Sequence, residues 1–501
     1  MIWISSLFNS KIMNFYKRIL VMFLVLIAAA CSKVEHKNEP VLEDIDYNVL
    51  VDVNETQGEV SKLLMGFNTI YCFEKDKLWQ NGNGKLPTMF RRFNTGILRY
   101  PGGAVVNRYH WNNLNGEGWK DNWSPTYDKA NDQPASEFMN VDEYMTNVTA
   151  IGAEPMLGIN MGSGLKYNRV HEGIDEAVAL VQHCKDMGFD VTYFYLDNEV
   201  YHEGANYKMT AAEYAEQINL YVPAMKAVNP NIETVINWQR NITSNTGSLK
   251  TIVGNSGENI DIIEVHWYWS WENATFDHWL SNNPMSTRNQ WYTSGLSYYE
   301  EIKAFKSLIT SLGYGHIKLA SNEWNLAPAP SVLQTPSKFE SALMISEIFS
   351  QYIDANLFMA NLWGVHWPNA KGESKNRLIL DTENNYSENA ATTVFEMFGE
   401  AMGATRIECS SSLKGVYDIA VLDESNDQII IYLINKKQAE ETLSTRVEVK
   451  NFAVGNIIAT AFVKGSDANG SLTTITAKIE SGNRIIIDLP KNSLTKLVVK
   501  K

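Results

Sequence analysis

Thr192-Tyr193-Phe194-Tyr195-Leu196-Asp197-Asn198-Glu199 is an apolar run that closes on an amide and a carboxylate, and Ile317-Lys318-Leu319-Ala320-Ser321-Asn322-Glu323 closes the same way. A carboxylate at the C-terminal tip of a buried strand stands where barrel enzymes hold their reacting groups. Working outward from these two runs, short apolar or β-branched stretches alternate with helical patterns, as in a parallel α/β fold. Strands are expected at Leu64–Tyr71, Ile97–Gly103, Glu154–Asn160, Thr192–Glu199, Glu233–Asn237, Ile260–Trp269, Ile317–Asn325 and Leu357–Trp367. Amphipathic helices are clearest at Gly173–Met187, Ala211–Ala227, Ser297–Leu312 and Ser337–Ile353. Eight strands predict a (β/α)8 TIM barrel over residues 63–398, with Glu199 ending its fourth strand, Glu323 its seventh, and both on one face.

Beyond Gly399 the pattern changes to strands without helices: Val416–Leu422, Gln428–Asn435, Ser444–Val449, Ile457–Val463, Leu472–Ile479 and Arg484–Leu489. Turn residues such as Ser425-Asn426-Asp427 separate them, which predicts a C-terminal all-β sandwich domain over 399–501. The segment 46–62, strand-like at Tyr47–Val53, is expected to join that sandwich before the chain enters the barrel. With no strong linker between the two parts, tight packing is expected.

Residues 1–31 read as an export signal. Lys11, Lys17 and Arg18 precede the apolar run Ile19–Ala30, which is short for a membrane span. The ending Ala28-Ala29-Ala30-Cys31 is similar to the small-residue box of bacterial lipoproteins, in which the cysteine is acylated. A cleaved secretory signal with an incidental cysteine is the alternative, and Met13 is a second candidate start. Residues 32–45 are a polar tether, so the expected setting is an exported bacterial lipoprotein, periplasmic or at the outer-membrane surface, held to the membrane by a lipid on Cys31.

The chain of 501 residues is 45% hydrophobic and 20% charged, a globular composition, and long enough for more than one core. Its net charge of −14 opposes nucleic-acid binding. Four cysteines, one of them Cys31, make neither a CxxC metal pattern nor a disulfide framework. Glu264-Val265-His266 has the wrong partners for zinc, so neither a metal nor another cofactor is expected. No Gly-x-Ser-x-Gly elbow or full phosphate-binding loop occurs.

Taken in order, Leu98-Arg99-Tyr100-Pro101-Gly102-Gly103, Tyr109-His110-Trp111, Glu154-Pro155-Met156, Asp197-Asn198-Glu199, His266-Trp267-Tyr268 and Asn322-Glu323-Trp324-Asn325 resemble the clan A glycoside hydrolases, most of all the α-L-arabinofuranosidases of family 51. The resemblance spans the barrel and the trailing β domain. It implies a carbohydrate substrate and a retaining double displacement, with Glu199 as acid/base and Glu323 as nucleophile. Arg99 is then expected to keep the nucleophile ionised, Asn198 to meet the sugar hydroxyl beside the anomeric carbon, and His266 and Tyr268, two apart on one strand, to line the reacting sugar. Glu199 is expected to hold its proton through partial desolvation and the neighbouring carboxylate. Trp267, Trp269, Trp271, Trp324, Trp363 and Trp367 crowd the same face, and Trp324 and Trp367 are candidate stacking platforms for sugar rings.

Two departures bear on the substrate. Ala104 follows Pro-Gly-Gly where the family carries Asn, and Ile70 stands where the family carries a glutamate in the first-strand loop. A pocket without these anchors loses discrimination for a terminal arabinofuranose. An endo-acting clan A hydrolase of xylanase, galactanase or agarase type therefore stays open, as does a surface lipoprotein that binds glycan without cutting it. Sugar, anomer and oligomeric state are left unassigned.

Overall fold

The computed structural model describes residues 48–501 apart from 75, 115, 117, 203–206, 239–245, 270–273, 287–294, 328–334, 369, 371 and 439–440. The expected signal, the tether and Cys31 lie outside the described residues, as does Trp271. Among the described residues no helix is long and apolar enough to cross a membrane.

After β1 (Val49–Glu59), eight parallel strands close into a barrel: β2 (Gly66–Asn68), β3 (Ile97–Tyr100), β4 (Glu154–Ile159), β5 (Tyr193–Leu196), β6 (Glu233–Asn237), β7 (Ile262–Trp269), β8 (Lys318–Leu326) and β9 (Met359–Leu362). Inside it lies a small apolar core of Ile97, Val106, Met156, Tyr195, Val235, Ile262, Ala320 and Met359. The TIM-barrel expectation is met, and β5 and β8 are its fourth and seventh strands. Several strands are shorter than their apolar runs: β5 stops at Leu196, three residues before Glu199, and β9 at Leu362, leaving Trp363 to Trp367 in the loop beyond.

The helices begin where side chains can close their first turn. Thr210, Ser297 and Ser337 each accept from the N–H three residues on, and the glutamate there reaches back to the cap N–H. The helix Lys338–Asp354 is buried along nearly its whole length, because the barrel lies against one side and the β domain against another.

A two-stranded ribbon, β10 (Leu380–Asp381) with β11 (Ser387–Glu388), precedes the β domain. That domain holds β12 (Thr405–Ser411), β13 (Val416–Asp423), β14 (Gln428–Asn435), β15 (Thr442–Lys450), β16 (Asn456–Val463), β17 (Ser471–Thr474), β18 (Ala477–Ser481), β19 (Arg484–Pro490) and β20 (Ser493–Lys500). With β1 they form one ten-stranded curled sheet in the order β17-β16-β20-β14-β13-β12-β1-β15-β19-β18. All pairs are antiparallel except β1 with β15. The expected strand Leu472–Ile479 is really a corner: Ile475 N donates to Ala459 O on β16, while Asp488 N on β19 donates to Thr476 O. One bent stretch thus ties the two ends of the sheet together, so the sheet wraps around its own core of Val51, Ile431, Val447, Ile487 and Val499.

The sequence reading passed over β12 and β20. β12 reads Thr-Arg-Ile-Glu-Cys-Ser-Ser with one strongly apolar side chain, because Arg406 is spent on Asp354 of the barrel helix at 2.7 Å. The expected tight packing is present: Tyr432 stacks on Phe398 at 4.4 Å and Phe462 meets Phe339 at 5.0 Å.

Candidate active site

Glu323 owes its place to an irregularity in β8. Between Ala320 and Glu323 that strand advances three residues while β7 advances two, from Glu264 to His266, and β9 registers the same extra residue. A bulge re-aims a side chain and frees backbone groups from the ladder. The Asn322 carbonyl is taken up by Asn68 Nδ2 at 2.9 Å, and the Asn322 side chain accepts from Asn361 Nδ2 at 2.8 Å.

Around the Glu323 carboxylate stand three groups from two other strands. Arg99 Nη1 donates to Oε1 at 2.9 Å, Tyr268 OH to Oε2 at 2.9 Å, and His266 Nδ1 lies 3.4 Å from Oε2. Arg99 is wholly buried; its fork also donates to Asn68 Oδ1 and to Asn198 Oδ1, and its face lies 4.2 Å from the Tyr195 ring centre. Such a fixed fork organises three strand ends at once.

Glu199 approaches from the opposite side, on a left-handed residue with its N–H donated to Asn237 Oδ1 at 2.7 Å. His266 Nδ1 is 3.0 Å from Glu199 Oε1, so one imidazole stands between the two carboxylates. One oxygen of Glu199 and one of Glu323 lie within 4.8 Å of each other. Glu323 is nearly enclosed, while about a quarter of the Glu199 side chain meets solvent (7% and 26% exposed).

The charges follow from this packing. Burial alone would lower the pKa of His266, but the carboxylates of Glu323, Glu199 and Glu264 override it and hold the imidazole up at about 10. Burial is also the largest influence on Glu323; together with Glu199 it raises that carboxyl above the ordinary value, against the pull of His266 and Arg99. Glu264, equally buried, is driven the other way by Arg99 and His266. The layer therefore sets two basic groups, Arg99 and His266, among the carboxyl groups of Glu264, Glu323 and Glu199. Glu199, His266 and Glu323 could bring three ligand atoms to one ion. A metal requires neutral imidazole, which the proton held to about 10 on His266 opposes.

A family model described as the alpha-L-arabinofuranosidase 1 domain matches residues 89–301. In sequence and fold the chain resembles the clan A glycoside hydrolases of family 51. A probable alpha-L-arabinofuranosidase C of Aspergillus fumigatus is 26% identical over 162 residues, 29% of this chain and 30% of the fungal one. The chain thus aligns with less than a third of the length of that relative. An intracellular exo-alpha-(1->5)-L-arabinofuranosidase 1 of Bacillus subtilis is 22% identical over 81% of this chain and 87% of its own. Among solved structures, an α-L-arabinofuranosidase of Thermotoga maritima in complex with arabinose shares the fold at a TM-score of 0.70 and 19% identity, over 91% of this chain and all of that one.

Arg99, Asn198, His266 and Tyr268 stand with the two glutamates. Trp324 does not. It is fully buried, packed against Phe349, Tyr352 and Phe395 behind the barrel wall, so no sugar can stack on it. The reason is alternation: Glu323 points into the barrel mouth, and its neighbour therefore points to the helices. Trp267 and Trp269 are core for the same reason. Trp363 and Trp367 are half-buried and perpendicular, 6.0 Å apart, in the loop after the eighth strand. The Trp363 ring rests on Gly103 so closely that an added Cβ would lie 2.4 Å from it, and Ala104 beside it is exposed.

At the other departure Ile70 is buried, and its N–H donates to Glu74 Oε1 at 3.3 Å. Glu74 Oε2 accepts from Trp79 Nε1 at 2.6 Å and lies 3.2 Å from His366 Nε2, one residue before Trp367. The first-strand loop does carry an acid, four residues along and spent on holding loops together. Sequence reasoning missed Asn68, Asn237, Glu264 and Asn361 as parts of the site. The available signal was a polar side chain at or near the end of an otherwise apolar barrel strand.

Proposed function

We propose that this glycoside hydrolase cleaves α-L-arabinofuranosides or related glycosides of plant or algal polysaccharide and oligosaccharide with retention of anomeric configuration. Glu199 gives its proton to the leaving glycosidic oxygen as Glu323 attacks the anomeric carbon; the C–O bond breaks and a glycosyl ester forms. Glu199 then takes a proton from water, whose oxygen displaces Glu323. The observation that carries the reading is that one oxygen of Glu199 lies within 4.8 Å of one oxygen of Glu323, too close for the two groups to hold a water between them in the manner of an inverting pair. Retaining pairs sit about 5–5.5 Å apart, whereas inverting pairs need room for a water between them. Arg99, Tyr268 and His266 supply the donors that let Glu323 accept and release charge.

A panel of aryl glycosides and polysaccharides, with Glu199→Ala and Glu323→Ala as controls, tests the activity and separates terminal from internal attack. Azide added to Glu323→Gly should return a glycosyl azide of inverted configuration. Full turnover by Glu323→Ala would end the nucleophile assignment, and binding without turnover of any substrate would favour the glycan-binding alternative.

The export and lipid anchoring expected from Cys31 are proposed with it. Labelling cells with a fatty acid probe should mark the wild-type protein and leave Cys31→Ser unmarked; equal labelling of both would exclude the anchor.

A further inference from the structure

The turn that carries Glu199 is held by a buried acid that no step above employs. Asp197 is fully buried and its backbone is left-handed (φ 59°), as is that of Glu199 (φ 47°). Left-handed backbone is disfavoured for any residue with a Cβ, so two such residues around Asn198 need to be held in place. Asp197 N donates to Ile159 O, the last residue of β4, at 3.0 Å. Its Oδ1 accepts from Asn107 Nδ2 at 3.2 Å, and the N–H groups of Met161 and Gly162 face the carboxylate. Asn107 Nδ2 lies equally close, 3.2 Å, to the carbonyl of Asn198, and Asn107 is itself fixed by Ser163 Oγ, 3.1 Å from its carbonyl oxygen. Burial pushes the Asp197 carboxyl up to about 8, opposed by neutral N–H donors alone. An acid kept in so unfavourable a place, one residue from Asn198 and two from Glu199, belongs to the working parts of the site and not to its stability.

We propose that Asp197 is the positioning residue of the acid/base: its carboxyl ties the left-handed turn to the loop after β4 and to Asn107, and so sets the direction of the Glu199 carboxyl and the Asn198 amide. The inference rests on reading Glu199 as the proton donor. A sugar bound to a good phenolic leaving group departs without much help from an acid, whereas a poor one requires it. Misaligning Glu199 therefore slows poor leaving groups selectively, and general damage to the fold slows all alike.

The test is kcat/KM of the full-length enzyme on aryl glycosides of the sugar identified by the panel, with phenols of graded acidity, for the wild type, Glu199→Ala, Asp197→Ala, Asp197→Gly, Asp197→Asn and Asn107→Ala. Glu199→Ala should show the steepest dependence. Asp197→Ala and Asp197→Gly should lose about tenfold or more on the poorest leaving group and about threefold or less on the best. Asp197→Asn keeps an acceptor oxygen and tolerates the left-handed turn, and should recover most of the loss. Asn107→Ala, which leaves Asp197 in place, should reproduce the slope of Asp197→Ala, and it serves if that variant does not fold. Steep dependence in Glu199→Ala with uniform or no loss in the Asp197 and Asn107 variants overturns the positioning role alone. A wild-type slope in Asp197→Gly does the same. A flat Glu199→Ala series overturns the acid/base reading and this proposal together.

Discussion

Arg99 of β3 and Glu323 of β8, joined at 2.9 Å across the barrel mouth, form an ion pair in which one partner is wholly enclosed and the other nearly so. Arg99 also stands 3.7 Å from Glu264, so the guanidinium serves two buried carboxylates. Its removal from Glu323 has a definite sign. Arg99 pulls the Glu323 pKa down against burial and Glu199; without it that pKa rises further, and the carboxylate needed for attack forms only at higher pH. Arg99→Gln should move the acid limb of the kcat/KM profile upward by about one unit or more. A limb at or below that of the wild type would show that something else keeps Glu323 ionised.

His266 makes a prediction about stability. Its ordinary value is 6.5 and the folded value about 10, because Glu323, Glu199 and Glu264 outweigh burial. A raised folded value stabilises fully below the unfolded pKa and loses that contribution as pH climbs through the folded one. The gap in melting temperature between wild type and His266→Gln should therefore be widest at or below about pH 6.5 and close progressively toward pH 10. A gap independent of pH across that window would mean that the imidazole is neutral in the folded protein.

Much of this site was legible in the sequence, and what was not has physical reasons. Glu199, Glu323, Arg99 and the pair His266 and Tyr268 sit in or just after strand ends within short motifs, where local pattern suffices. Asn68, Glu264 and Asn361 act only because the register brings three different strands into one layer, and register is not written in any one strand. The bulge at Asn322-Glu323 likewise has no local signature, although it aims the Glu323 carboxylate. Trp324 was misread because density of tryptophan was taken for access; one step of alternation turns it to the opposite face. In the β domain, the bend at Ile475-Thr476 is imposed by the two sheet ends it joins and not by a turn residue.

A second buried ion pair links the β domain to the barrel. Lys436, just beyond β14, meets Glu347 of the helix Lys338–Asp354 at 2.7 Å, with Trp279 Nε1 at 2.6 Å and Met285 N at 2.7 Å also donating to that carboxylate. Lys436→Met strands Glu347 among neutral donors and should cost about 3–5 kcal/mol in chemical denaturation. The pair Lys436→Met with Glu347→Leu should recover a large part of that loss, since the uncompensated charge is gone. Additive losses in the double variant would mean that the ion pair adds little and that packing around Trp279 dominates.

The two tryptophans that the sequence grouped together should separate in kinetics. Trp367 is half-buried in the loop after the eighth strand, and stacking of one sugar face on an aromatic ring contributes about 0.5–1.5 kcal/mol. Trp367→Ala should therefore raise KM for an oligosaccharide by roughly two- to tenfold with little change in melting temperature. Trp324→Ala opens a cavity among Phe349, Tyr352 and Phe395 and should cost about 3–5 kcal/mol, with KM close to that of the wild type at temperatures where the variant is folded. If instead Trp324→Ala weakened binding while Trp367→Ala did not, the eighth-strand loop would not be the wall that meets the sugar, and the cleft would have to run over the seventh strand.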